Sequence, residues 1–203
     1  MEIPTAPTFP VSPEIFWEIF SDSLRLCWIG LEESDRKDTY NNGEQWTTFL
    51  TGFLLHLSAQ FVCIADTEYW PRVDVGYFDK PGDDWGEWAM EVAIELENDA
   101  RNWHEEISKL LMINAGLKVL VCYPESIEYR RFVLNRFIDI HKSRKYFTTS
   151  DSWLFIFAPR LLPTNEDFVA LKSDGKNFSD ITCGKRIISE VLETPIQLRQ
   201  RKQ

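Results

Sequence analysis

A mixed α/β domain is predicted by three features of this 203-residue sequence. Hydrophobic residues recur at helical spacing in several separate stretches. Between those stretches lie short runs rich in Val, Ile and aromatic residues, the pattern of strands in a half-buried or buried sheet. Pro or Gly follows several of the segments and marks where each one stops. Fourteen Phe, eight Trp and six Tyr within a 44% hydrophobic composition supply enough large apolar surface for one core. The expectation is a single domain over residues 1–203, a central mixed sheet flanked by helices.

Residues 1–13 hold four of the ten prolines and read as an extended arm. A helix is expected over 13–29, where Phe16, Phe20, Leu24 and Cys27 recur at helical spacing. The run 32–44 (EESDRKDTYNNGE) is polar throughout and reads as a loop. The clearest helix covers 44–60, with Trp46, Phe49, Leu50, Phe53, Leu54 and Leu57 on one stripe. Asn41, three residues before Glu44, has the spacing of a capping box. The period then shortens, predicting strands at 61–70, 72–78 and 88–97, with a Pro-Gly turn or excursion at 79–87. Trp103, Ile107, Leu110 and Leu111 share a face of a helix over 101–115 that Gly116 ends. A buried strand at 117–123, a helix at 127–142 and a strand at 153–157 follow. A short strand near 168–171 and a helix near 185–192 complete the order.

The net charge of −10 argues against a surface that attracts nucleic acid everywhere. Its distribution is uneven. Residues 1–106 carry 22 acids against 6 bases, and residues 107–203 carry 10 against 16. Cys27, Cys63, Cys122 and Cys183 are scattered without a C-x-x-C pair, and the first three lie in apolar runs. They read as reduced core residues of a cytoplasmic protein, not as disulfides or zinc ligands. The acidic, Pro-rich start lacks the pattern of a secretory signal, and no apolar run is long enough to span a bilayer. A membrane is therefore not an expected partner.

Three carboxylates carry the functional reading. Asp74 lies between valines on the expected second strand, and Glu95 and Glu97 share one face at the end of the third. Neighbouring strands lie about 5 Å apart, so the three acids can converge. Unpaired acids at that spacing repel, and a divalent cation removes the conflict by using their oxygens as ligands. Mg²⁺ or Mn²⁺ is the expected cofactor. The plainer alternatives are a surface acid near a turn for Asp74 and a solvated strand face for the two glutamates, since edge strands use charge to prevent pairing.

The order helix, strands carrying D-x(20)-E-x-E, helix, strand resembles the PD-(D/E)xK nuclease superfamily, with its restriction-endonuclease-like fold. The resemblance covers about residues 44–123. It implies a core of order αβββαβ, residues 124–203 as helix and strand additions, metal-dependent hydrolysis of phosphodiester bonds and nucleic acid as partner. Many proteins of this fold are dimers. By position, Asp74 and Glu95 match the family's metal-binding acids, and Glu44 matches an acid on the first core helix that assists the metal. Glu97 stands where the family has a lysine, although some restriction enzymes of this fold carry Glu there. The alternative is a catalytically inactive relative serving as a binding or adaptor module.

Lys109 is a candidate to replace that lysine from the following helix, but helical phase sets it opposite Trp103, Ile107 and Leu110. An i, i+4 surface pair with Glu105 is the expectation instead. The stretch HEEIS at 104–108 lacks the second His of the zinc-protease motif, because Ser108 stands there. Neither G-x-S-x-G nor a phosphate-binding P-loop motif occurs. Arg130, Arg131, Arg136, Lys142, Arg144 and Lys145 form a basic run at 129–145, a candidate track for phosphates. Its plainer meaning is the solvated face of an amphipathic helix.

Overall fold

The computed structural model describes residues 10–69, 73–79, 89–97, 102–124, 126–143, 152–159, 167–185 and 187. Helix α1 (Pro13–Ile29) begins where Ser12 accepts a hydrogen bond from the Ile15 amide and Pro13 fits the first helical position. Helix α2 (Glu33–Asn41) occupies the stretch expected to be a loop. Its sequence buries only Tyr40, so it has no hydrophobic period to announce it. It is anchored by tertiary contacts: the Tyr40 hydroxyl donates to the Pro159 carbonyl, and its ring packs against Trp28 and Trp46. Helix α3 (Gly43–Leu57) is capped by Asn42, whose side chain accepts from the Glu44 and Gln45 amides. The cap is thus one residue later than the expected Asn41. A short 3-10 turn (Ser58–Phe61) follows.

The seven strands are β1 (Ile64–Tyr69), β2 (Val73–Asp79), β3 (Ala89–Glu97), β4 (Leu117–Cys122), β5 (Ser152–Phe157), β6 (Val169–Ser173) and β7 (Phe178–Asp180). They form one sheet in chain order. Strands β1 to β3 make an antiparallel meander, β3, β4 and β5 run parallel, and β6 and β7 return antiparallel. Parallel neighbours need crossovers. These are helix α4 (Trp103–Met112), between β3 and β4, and helix α5 (Ile127–Ser143), between β4 and β5. Two crossovers stepping the same way, with the usual right-handedness, lie on one face of a sheet. That is where the packing puts them: α4 and α5 cover Ala93, Leu120, Cys122, Trp153 and Phe155. Helices α1 and α3 cover the other face, over Val75, Ile94, Val119 and Ile156.

Strand β7 was not expected. It is three residues long and continues from a tight turn in which Asp174 accepts from the Lys176 and Asn177 amides. Gly175 in that turn has φ 83°, and an added Cβ would collide with the His141 ring of α5. The edge of the sheet is thereby tied to the crossover layer. Phe137 fills the centre of that layer, 4.9 Å from the ring centres of both Trp153 and Phe155. Cys122 is buried as expected, whereas Cys27 is exposed on α1. Its flanking apolar residues Leu26 and Ile29 are exposed with it, so the apolar run there is surface, not core. No helix among the described residues is long and apolar enough to cross a membrane. The expected helix near 185–192 and the excursion at 79–87 lie almost wholly outside the described residues.

Candidate functional site

The interior position of β2 and β3 decides what their acids do. Both strands are hydrogen-bonded on both sides, so an edge role is excluded for Asp74, Glu95 and Glu97. The antiparallel register pairs Val75 with Ile94, and one step further sets Asp74 opposite Glu95. Alternation along β3 turns Ile94 toward α1 and α3 and Glu95 toward α4. Glu95 is 0% exposed. Asp74 is half-buried, and its Oδ2 accepts a 2.7 Å hydrogen bond from the Leu96 amide. The structure therefore brings these two carboxylates together.

The other members of the cluster come from α4. The carboxylates of Asp74 and Glu106 both lie close enough to that of Glu95 to act on it. Lys109 Nζ lies 3.3 Å from Glu95 Oε2 and forms an ion pair with Glu106, one turn earlier on the helix. Lys109 is thus at the site, not in the expected surface pair with Glu105. Helical phase was a poor guide because the lysine stem is long. Lysine side chains on a helix lean toward its N-terminus, and four methylenes let the ammonium reach back around the flank. Glu106 escaped the sequence reading because it offers no motif, only a polar position flanking an apolar stripe.

Three acids and one base cannot all be charged in such a space at low cost. Contacts between carboxyl groups need a proton, and the physical causes agree on where it sits. Burial, the Glu106 contact and the Asp74 charge push the Glu95 carboxyl up to about 10. Burial also raises Asp74, against the Leu96 amide bond that favours its ionised form. Burial works against the Lys109 charge, but Glu106 and Glu95 outweigh it and hold the ammonium above its usual range. Near neutral pH the site holds a protonated Glu95 beside a charged Lys109. Glu95 Oε1 is nevertheless buried with no hydrogen-bond partner. Buried polar atoms are seldom left so.

Glu97 and Glu44 stand elsewhere. Glu97 shares the Glu95 face but sits one step beyond, level with Cys122 of β4. Burial raises the Cys122 thiol, and Arg130 and Glu97 act on it in opposite senses, so both lie close to it. Glu44 is exposed at the start of α3, on the opposite side of the sheet from Glu95. The sheet separates it from the cluster, and its backbone amide, not its carboxylate, makes the contact with the cap. Among the described residues no group of three or more His, Cys, Asp or Glu side chains has a metal-holding arrangement. Lys118 is a further buried charge that sequence reasoning passed over. It is paired with Ala93 on the same face and has its Nζ 5.3 Å from the Trp153 ring centre. Its signal was present: one ionisable residue inside the otherwise apolar strand LKVLVC.

The basic run does not form one track. Arg130 turns inward, with its guanidinium 5.1 Å from the Phe157 ring centre. Arg131, Arg136 and Lys142 are exposed. At about 100° per residue, however, Arg136 points roughly 140° away from Arg131 and about 120° from Lys142. Arg136 faces α4, and the other two face away from it. Arg144 and Lys145 lie outside the described residues. No family model, curated protein or solved structure matches the chain.

Proposed function

We propose that this chain is a metal-dependent phosphodiesterase of the PD-(D/E)xK nuclease type, acting on nucleic acid, with a restriction-endonuclease-like core. The observation that carries the reading is the pairing of Asp74 and Glu95 across two interior strands with Lys109 against Glu95. The succession α3, β1, β2, β3, α4, β4 supports it, since it has the order of that core. Asp74 and Glu95 would hold Mg²⁺ or Mn²⁺. Two carboxylates suffice for such an ion, which keeps waters and takes substrate phosphate oxygens as its remaining ligands. The hard oxygen donors and the unpartnered Glu95 Oε1 fit that role. A cation bound there supplies Lewis-acid polarisation of a phosphoryl oxygen and acidifies a coordinated water.

Glu95 must release its proton to act as a ligand, so binding is coupled to pH. Lys109 takes over the chemical task that Glu97 cannot perform. Its side chain, 29% exposed, borders solvent while its ammonium touches Glu95, which suits it to meet a phosphate oxygen and the charge that develops there. Glu106 keeps Lys109 charged and aimed. In this reading Glu97 and Glu44 are not ligands.

A second reading is favoured by the same ion pair. Lys109 already supplies positive charge to the carboxylates, so a non-catalytic binding module of this fold needs no metal. Purified protein incubated with single- and double-stranded DNA and RNA in Mg²⁺ or Mn²⁺ separates the two. Cleavage abolished by EDTA, Asp74→Asn and Lys109→Met supports the enzyme. Absence of cleavage, together with a thermal midpoint that Mn²⁺ does not raise, leaves the binding module.

A further inference from the structure

The crossover helices enclose a cavity of ≈ 370 Å³ on the flank of α4 away from Lys109. Trp103, His104 and Ser108 of α4 line it from one side, and Tyr129, Phe132 and Arg136 of α5 from the other. Its walls are mostly aromatic rings. Phe132 stands edge-on to Trp103 at 6.1 Å and beside Tyr129 at 5.8 Å. Trp103 Nε1 donates a 3.0 Å hydrogen bond to the Tyr129 hydroxyl, which fixes both rings. Phe132 is 55% exposed, a large ring presented to solvent on a helix that also carries Arg136.

The charge of the lining is the second observation. The chain carries 32 acids against 22 bases, yet among the described residues no acidic side chain lines this cavity, and Arg136 and His104 do. Ring faces bounded by a guanidinium and hydrogen-bond donors match a ligand that is flat, aromatic and negatively charged. A cavity of a few hundred Å³ is of the size that takes such a group. A nucleotide in an unpaired strand has that combination, and stacking on protein rings is how unpaired bases are held without regard to sequence. Opposite flanks of one helix are about 10 Å apart, so a strand crossing α4 could occupy the cavity and the Asp74–Glu95 cluster together.

We infer that this aromatic cavity is a stacking site for one base of a single-stranded nucleic acid, with Arg136 placed for the adjoining phosphate. The inference rests on the nucleic-acid reading of the Asp74–Glu95 cluster but is tested without its chemistry. A fluorescein-labelled oligothymidylate is titrated with the full chain in EDTA and followed by anisotropy, with the part of the tryptophan fluorescence change that Trp103→Phe removes as a second signal. Phe132→Leu should weaken binding by about 5- to 100-fold, the range for loss of one stacked base. Phe132→Trp should restore it, Arg136→Gln should weaken it and reduce its salt dependence, and Arg131→Gln on the far flank should change it much less. Equal thermal midpoints among the variants exclude unfolding as the cause.

No binding by the wild type, or Phe132→Leu binding as well as the wild type, overturns the inference. So does a blunt duplex of equal length binding as tightly as the single strand. Metal-dependent cleavage with an unaffected Phe132→Leu affinity leaves the nuclease reading standing and removes the stacking site. Phe132-dependent binding without cleavage under any metal does the reverse.

Discussion

Replacing Glu95 by Gln tests whether a proton is built into the centre of the site. The amide has nearly the shape of the protonated carboxyl and, like it, carries no charge. Below about pH 4.5, where Glu95 is neutral in the folded and the unfolded chain alike, the substitution should therefore change stability little, and by pH 6 it should already stabilise the protein by about 2 kcal/mol. The pH dependence should change a great deal. Glu95 rises from 4.5 to about 10 on folding. Between those values the folded chain holds a proton that the unfolded chain has released, so stability falls as pH rises. The contribution is fully present below the unfolded value and is gone above the folded one. One proton corresponds to about 1.4 kcal/mol per pH unit, or about 2.7 kcal/mol from pH 6 to pH 8. Urea unfolding of both proteins in EDTA at pH 6, 7 and 8 measures the difference directly, because groups common to both cancel. Glu95→Gln should gain on the wild type by about 2.7 kcal/mol across that range. Parallel stability curves would mean that Glu95 is ionised in the folded protein and that the protonated-site argument fails.

Three further outcomes follow from particular contacts. Lys109→Met leaves Glu106 without its ion pair and should cost at least about 1 kcal/mol, the value for an exposed pair, since this one is mostly buried. Adding Glu106→Gln should recover part of that cost in a double-mutant cycle by urea unfolding, and no recovery would detach Lys109 from Glu106. Phe137→Ala empties the contact between α5 and both Trp153 and Phe155 and should cost about 3–5 kcal/mol in the same assay, with a loss under 1 kcal/mol refuting the central placing of that ring. Val62 has φ 57° with a side chain 69% exposed, so it bears backbone strain with little packing in return. Val62→Asn should raise stability by about 0.5–1 kcal/mol, and a decrease would show that Val62 makes contacts that outweigh the strain.

The elements most legible in the sequence are those whose stability is written along one segment. The stripe of Trp46, Leu50, Phe53, Leu54 and Leu57 places α3, and the unbroken apolar run of LKVLVC places β4, because each buries its own face. Helix α2 was illegible for the opposite reason. It buries one residue, and its helical state depends on rings contributed by α1 and α3. The site divides in the same way. Asp74 and Glu95 could be read from strand alternation and a plausible register. Lys109 could not, because its position follows from how far a side chain reaches and not from the phase of its Cα. The basic run failed for a related reason: residues clustered in sequence are distributed around a helix, and among its described residues only Arg136 turned toward α4.

The source of the lysine affects what the site can do. A lysine at position 97 would project from β3 beneath the crossover helices, where Glu97 sits, almost buried beside Cys122. Lys109 instead approaches Glu95 from α4, with its side chain only partly buried. In the proposed nuclease, a cation held in that way would touch a carboxylate on one side and an incoming phosphate on the other. The arrangement also requires Glu106. Without that acid one turn earlier, a lysine kept in the site would lose the contact that most offsets the burial working against its charge. Glu106 therefore costs the site an extra negative charge, which is part of why Glu95 carries a proton. The protonated glutamate and the displaced lysine are two consequences of one arrangement, so substitutions at 95, 106 and 109 should couple strongly and not add.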